Sequence, residues 1–144
     1  MDISRFNTVD PSTAGIWVQI KDFDFKTPID GLEIKIIGPD SPLAVKAADD
    51  EYKELQSQMA ALAAAGKDFK DVIDEPSDKK EIKKALAITI GWKGVDWQDK
   101  ELKFNTKNVE MVYTLCPHIR HQVLAAHNNR KLFTSAESKP SVNQ

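Results

Sequence analysis

Cys116, His118, His121 and His127 lie close together in the C-terminal third of the chain, and their types raise metal binding first. Zinc needs three or four nitrogen or sulfur ligands converging within about 2.0–2.3 Å of one point. On a continuous helix, His118 and His121 share a face. His127 follows His118 after about 900° of rotation at ~100° per residue, which turns it to the opposite side. Two ligands on one face do not make a metal centre, so none is assigned. A thiol nucleophile is the second chemistry to weigh. Cys116 continues the apolar pattern of Val109 and Val112, which suits a buried small hydrophobe, and no orienting group accompanies a Cys–His pair. Neither G-x-G-x-x-G nor G-K-S/T occurs, so no phosphate-cradling loop is present. The carboxylates form no pattern that would hold a metal or raise a pKa for acid–base work. No catalytic, cofactor-binding or metal residue is assigned, and a non-enzymatic protein is expected.

Large aromatic and apolar side chains are the other candidates, because they dominate interface energetics when exposed and core energetics when buried. Trp92, flanked by Gly91 and Gly94, reads as a core plug whose neighbours must lack side chains. Trp97, among Asp96, Gln98, Asp99 and Lys100, is the better choice for partial exposure. Trp17 lies opposite Ile16, Val18 and Ile20 on an alternating segment and so points toward a partner. A third group follows helical spacing: Val45, Ala48, Tyr52, Leu55, Met59 and Leu62 recur every three or four residues, a narrow seam suited to one neighbouring helix. Such a seam usually packs within its own domain. Trp17, Tyr52, Leu55, Met59, Leu62 and Trp97 are the candidate partner-binding residues. Alanines 60, 61, 63, 64 and 65 slim the end of that helix and would let a partner approach alongside Trp17.

These side chains need a scaffold, and 144 residues suit one domain with a real core. Apolar residues make up 41% and charged ones 29%, a globular balance. A net charge of −2 supplies no positive field for nucleic acid. The acidic run Asp49, Asp50, Glu51, Glu54 and the basic-leaning Arg120, His121, His127, Arg130 and Lys131 read as solvated helix faces. A single cysteine excludes an internal disulfide. The N-terminus lacks a signal-peptide layout, and Met59–Gly66 is too short to span a bilayer, so a cytosolic, membrane-free protein is expected.

Residues 1–15 hold turn formers without periodicity and read as a flexible arm. Two period-two runs over 16–37 predict a β-hairpin, with Thr27-Pro28-Ile29-Asp30-Gly31 as its turn. Helices are expected at about 42–65, 79–90, 106–116 and 117–130. Ser41 with Pro42 starts the first, Gly66 stops it, Ser77 or Asp78 caps the second, Thr106 caps the third, and Pro117 separates the last two. Residues 134–144 read as a polar tail. The expected fold is thus α+β: a single domain over 16–133, mostly helical, with an N-terminal hairpin.

The order of these signals carries a resemblance. Ile36-Ile37-Gly38-Pro39-Asp40-Ser41 precedes a long helix, then come Leu86-Ala87, Gly91-Trp92-Lys93-Gly94, Phe104-Asn105-Thr106-x-Asn108, Tyr113, Pro117-His118-Ile119-Arg120 and Gln122-Val123. Over roughly residues 16–133 this loose pattern resembles the tail assembly chaperones of long-tailed bacteriophages. The resemblance implies a protein that binds the helix-rich tape-measure protein, keeps it soluble, brings tail-tube subunits to it, and leaves the finished particle. It places the chain in the cytoplasm of an infected bacterial host. In this pattern Ser41, Trp92 and Thr106 act as fold determinants rather than contacts. The arm and the tail after Phe133 are less typical of it. They leave room for a virion structural protein (capsid-surface, connector or tail component) whose arms order on neighbouring subunits. Self-association into a homo-oligomer stays open.

Overall fold

The computed structural model describes residues 1–67 and 77–134. The polar tail expected over 134–144 lies, beyond Thr134, outside the described residues. The chain is α+β and mostly helical, with an N-terminal hairpin that a third strand extends into a sheet. Strands β1 (Ile16–Lys21) and β2 (Pro28–Ile36) pair antiparallel, Ile16 opposite Ile36 and Val18 opposite Ile34. Alternation sends Ile20, Ile34 and Ile36 into the core and Trp17 and Lys35 to the other face.

The hairpin turn is not at Thr27–Gly31. It is built by Asp24, whose carboxylate accepts from the backbone N–H groups of Lys26 and Thr27 and from the Thr27 hydroxyl. Those bonds hold the Asp24 pKa down at about 2. An Asx-type turn of this kind competes effectively with a proline–glycine signal. Pro28 instead opens β2, and Gly31 sits within that strand at φ +77°.

Helix α3 (Ser77–Ile88) runs directly into strand β3 (Thr89–Lys93), so the helix expected to reach residue 90 stops earlier. β3 pairs with β2, Ile34 opposite Trp92 and Lys35 opposite Gly91, giving the order β1-β2-β3. Ile88, Thr89 and Ile90 are β-branched, and an available β2 edge gives their backbone a ladder in place of a further helical turn. The Thr89 hydroxyl seals the junction. It donates to the Ala85 carbonyl at 2.6 Å, so its oxygen accepts from the Tyr113 hydroxyl, also at 2.6 Å.

A two-residue turn with Gln98 and Asp99 at φ 50° and 66° joins β4 (Asp96–Trp97) to β5 (Lys100–Glu101). Two consecutive positive φ values mark the mirror-image turn that matches strand twist. Helices α4 (Thr106–Leu115) and α5 (Pro117–His127) follow. Asn105, one residue before the expected Thr106, caps α4 by accepting from the N–H of Asn108. Helix α5 packs on β1 and β2, α3 and α4 pack on α5 and on each other, and Ala85, Ile88, Val109, Val112, Tyr113 and Val123 join the sheet isoleucines in one core. Arg120 is buried against this layer and donates to the Tyr113 carbonyl.

The first fifteen residues are not a structureless arm. They contain a 3-10 turn (Ile3–Phe6) and helix α1 (Val9–Ala14). Ser12 is fully buried, and its carbonyl accepts from the N–H of Gly38. Thr8 donates to Asp40, which also receives a two-pronged bond from Arg130 at 2.7 and 3.0 Å. Both partners hold the Asp40 carboxyl below its ordinary pKa. A closing 3-10 turn, Arg130–Phe133, drives Phe133 into the same corner. Turn formers thus build a docked segment because their partners lie about thirty and about one hundred and twenty residues onward, beyond any local pattern.

Candidate partner-binding groove between α2 and α3

Helix α2 (Pro42–Ala64) forms for local reasons. The Ser41 hydroxyl accepts from the N–H of Ala44, Pro42 occupies the first turn, and Gly66 at φ +69° follows the last. Alanine-rich composition and the i,i+4 pairs Lys46–Asp50 and Asp49–Lys53 support it further. Tertiary packing contributes little, since Ala44 is its one buried residue. Most of the seam expected along it is open to solvent, Val45 being 55% exposed, Tyr52 59%, Leu55 37% and Met59 40%, while Leu62 near its end is half-buried. Isolated apolar side chains on a surface are ordinary, but a helix-length row left open is a feature of interaction sites.

Between α2 and α3 runs a groove of about 640 Å³. Its apolar surface comes from Ala44, Val45, Ala48 and Leu55 of α2 and from Ala87 and Ile88 of α3. Asp50, Glu51 and Glu54 border it on the α2 side, and Lys80, Lys83 and Lys84 on the α3 side. Pro39, His127 and Asn128 line it near the start of α2. Of the candidate residues, only Leu55 is part of this lining, together with Val45 and Ala48 of the same seam. Tyr52, Met59 and Leu62 are on α2 outside it. Trp17 is on the outer sheet face, 36% exposed, with the Lys93 ammonium 4.0 Å and the Lys35 ammonium 5.7 Å from its ring centre. Trp97 is half-buried in the β4–β5 hairpin. Neither tryptophan lines the groove.

Sequence reasoning missed the α3 wall. The signal was present in Lys80, Lys83 and Lys84, three and four residues apart and therefore on one helical face. Reading α3 as a central element hid it.

Trp92 is partly buried rather than a sealed plug. Its indole N–H donates to the Leu102 carbonyl at 3.0 Å and its ring meets Phe104 edge-on.

The histidines diverge. His118 has its Nε2 2.9 Å from the Lys21 carbonyl and its ring against Phe23 and Phe25. His121 faces Glu81 across 3.6 Å. His127 is buried, with Nδ1 2.8 Å from the Ile37 carbonyl. Among the described residues, no group of three or more His, Cys, Asp or Glu could hold a metal ion. Cys116 is half-buried, and burial pushes its thiol pKa up, away from nucleophilic character. Burial likewise drives Tyr113 up to about 12, so at neutral pH it is a fixed hydrogen-bond donor.

His127 makes a pH prediction. A carbonyl only accepts, so the neutral ring donates from Nδ1. Burial lowers its pKa from 6.5; the Ile37 bond opposes this and nearby Lys84 adds to it. A histidine with a depressed folded-state pKa contributes stability above its unfolded pKa, and that stability is lost as pH falls through the folded value. Urea midpoints of the wild type should therefore drop between roughly pH 7 and pH 5, and those of His127→Gln should drop less. Parallel pH profiles would rule out this role.

No described helix is long and apolar enough to cross a membrane. Compared with known proteins, the chain has no match: no family model fits it, and no curated protein or solved structure aligns with it.

Proposed function

We propose that this chain is a non-catalytic polypeptide-binding factor, a tail assembly chaperone of a tailed bacteriophage. In this reading it holds helical segments of the tape-measure protein along α2 and helps recruit tail-tube subunits in the cytoplasm of the infected host. The observation that carries the reading is the open apolar row of α2 beside the α2–α3 groove. A long helical client exposes apolar stripes that aggregate when free, and an amphipathic helix in an apolar groove is a standard way to cover them. The net charge of −2 supports a protein client over nucleic acid.

The test is co-expression with a tape-measure protein, the client this reading names, followed by capture on the tagged chain. The client should be soluble only when co-expressed. Leu55→Glu should weaken capture by roughly tenfold or more, because it places a charge in an apolar contact. Its thermal midpoint should barely move, since surface substitutions usually change stability by about 0.5 kcal/mol or less. A client equally soluble alone ends the proposal. Mass spectrometry of purified particles gives a second criterion: the chaperone is absent from them, and many copies there would identify a structural component instead.

A further inference from the structure

We infer that the groove between α2 and α3 fixes the direction of the helix it receives, through lips of opposite charge. The inference rests on the reading of the groove as a helix cradle and adds to it the chemistry of the occupant. Glu51 and Glu54 stand on the α2 lip, joined by Asp50, whose carboxylate is shared with Lys46 at 3.7 Å. Lys80 and Lys84 stand on the α3 lip, Lys84 also reaching the Asn128 side chain at 3.5 Å. Alanines 44, 48 and 87 share these helix faces with the charged residues and line the groove with small side chains, so a partner backbone can approach closely there. From Ala44 to Gln58 the α2 wall extends about 21 Å at roughly 1.5 Å per residue, enough for four turns of a bound helix.

The charge arrangement selects the occupant. An amphipathic helix with an apolar stripe, basic residues along one flank and acidic residues along the other meets both lips with opposite charges. Turning that helix end for end exchanges its flanks and sets like charges against like on both sides. Such juxtapositions act on orientation and register more than on raw affinity. A helix with two basic or two acidic flanks satisfies only one lip in either direction. The groove therefore reads direction as well as hydrophobicity, which a holder of long helical proteins needs if it is to bind successive segments in one sense.

The experiment uses the full chain and a synthetic sixteen-residue helical peptide with a leucine stripe, one lysine flank and one glutamate flank. A nitroxide on the peptide N-terminus broadens the amide signals nearest to it. The expected result is broadening at one end of the groove only, either at Ala44 and Asn128 or at Gln58 and Lys80. Moving the label to the peptide C-terminus should shift broadening to the other end. Peptides with two lysine or two glutamate flanks should bind about tenfold more weakly, the size that opposed charge pairs at an interface reach. The variant E51K/E54K/K80E/K84E should swap the broadened end. As a check that needs no substitution, about 1 M sodium chloride should erase the directional preference of the wild type while the leucine stripe still binds, because the screening length falls to about 3 Å. Binding with both ends broadened equally, or with no response to salt, overturns the directional inference and leaves the cradle standing. Failure of every peptide to bind overturns both.

Discussion

Gly94→Ala should destabilise the protein by about 3 kcal/mol or more, whereas Gly91→Ala, three residues earlier, should cost under about 1 kcal/mol. Both glycines flank Trp92 in sequence, yet their surroundings differ. Gly94 has φ +68°, and a Cβ placed on it would lie 2.1 Å from the Gly31 carbonyl oxygen and 2.8 Å from its carbon. The obstacle is backbone of β2, which cannot rotate away as a side chain would. Relief requires that Gly31, itself at φ +77°, or the β3–β4 connection move, at the expense of the sheet. At Gly91 the added carbon meets the Lys35 Cβ at 3.7 Å and the Trp17 ring at 3.8 Å, ordinary van der Waals contacts, with no positive φ to strain. Urea denaturation of the three proteins side by side is the measurement. Equal midpoints for the two variants would show that the Gly94–Gly31 approach relaxes freely.

Phe133→Ala should cost about 3–5 kcal/mol, the range for truncating a large aromatic in a well-packed interior. Phe133 is fully buried. Its ring packs so closely on Gly38 that a Cβ there would lie 2.6 Å from it and 2.2 Å from the Ser12 hydroxyl. Removing the ring loosens α1 and the Gly38–Ser41 turn together, since the Gly38 N–H donates to the Ser12 carbonyl. Hydrogen exchange at Gly38 should accelerate in the variant more than at Ile34, in the middle of the sheet. Uniform acceleration would mean that the corner and the sheet open as one unit; unchanged exchange would mean that Phe133 supports neither.

The parts legible in the sequence are those decided within a few residues. Ser41 and Pro42 start α2, Gly66 ends it, Pro117 opens α5, and alternation over Ile16–Ile20 and Leu32–Ile36 makes two strands. The missed parts depend on distant partners. Thr89–Lys93 is a strand because β2 offers an edge, although its residues also fit a helical stripe. Residues 8–14 are held by Gly38, Asp40 and the corner beneath Phe133, none of which leaves a trace in the local pattern.

The candidate site divides in the same way. Periodicity alone placed Val45, Tyr52, Leu55 and Met59 on one stripe of one helix, because 3.6 residues per turn allow nothing else. Whether that stripe would be covered was beyond its reach, since a row of apolar residues looks the same in a core and on a surface. Tertiary structure decided it by closing the core with α3, α4, α5 and the sheet and leaving α2 anchored at Ala44, its row facing solvent and its acidic side across a groove from the lysines of α3.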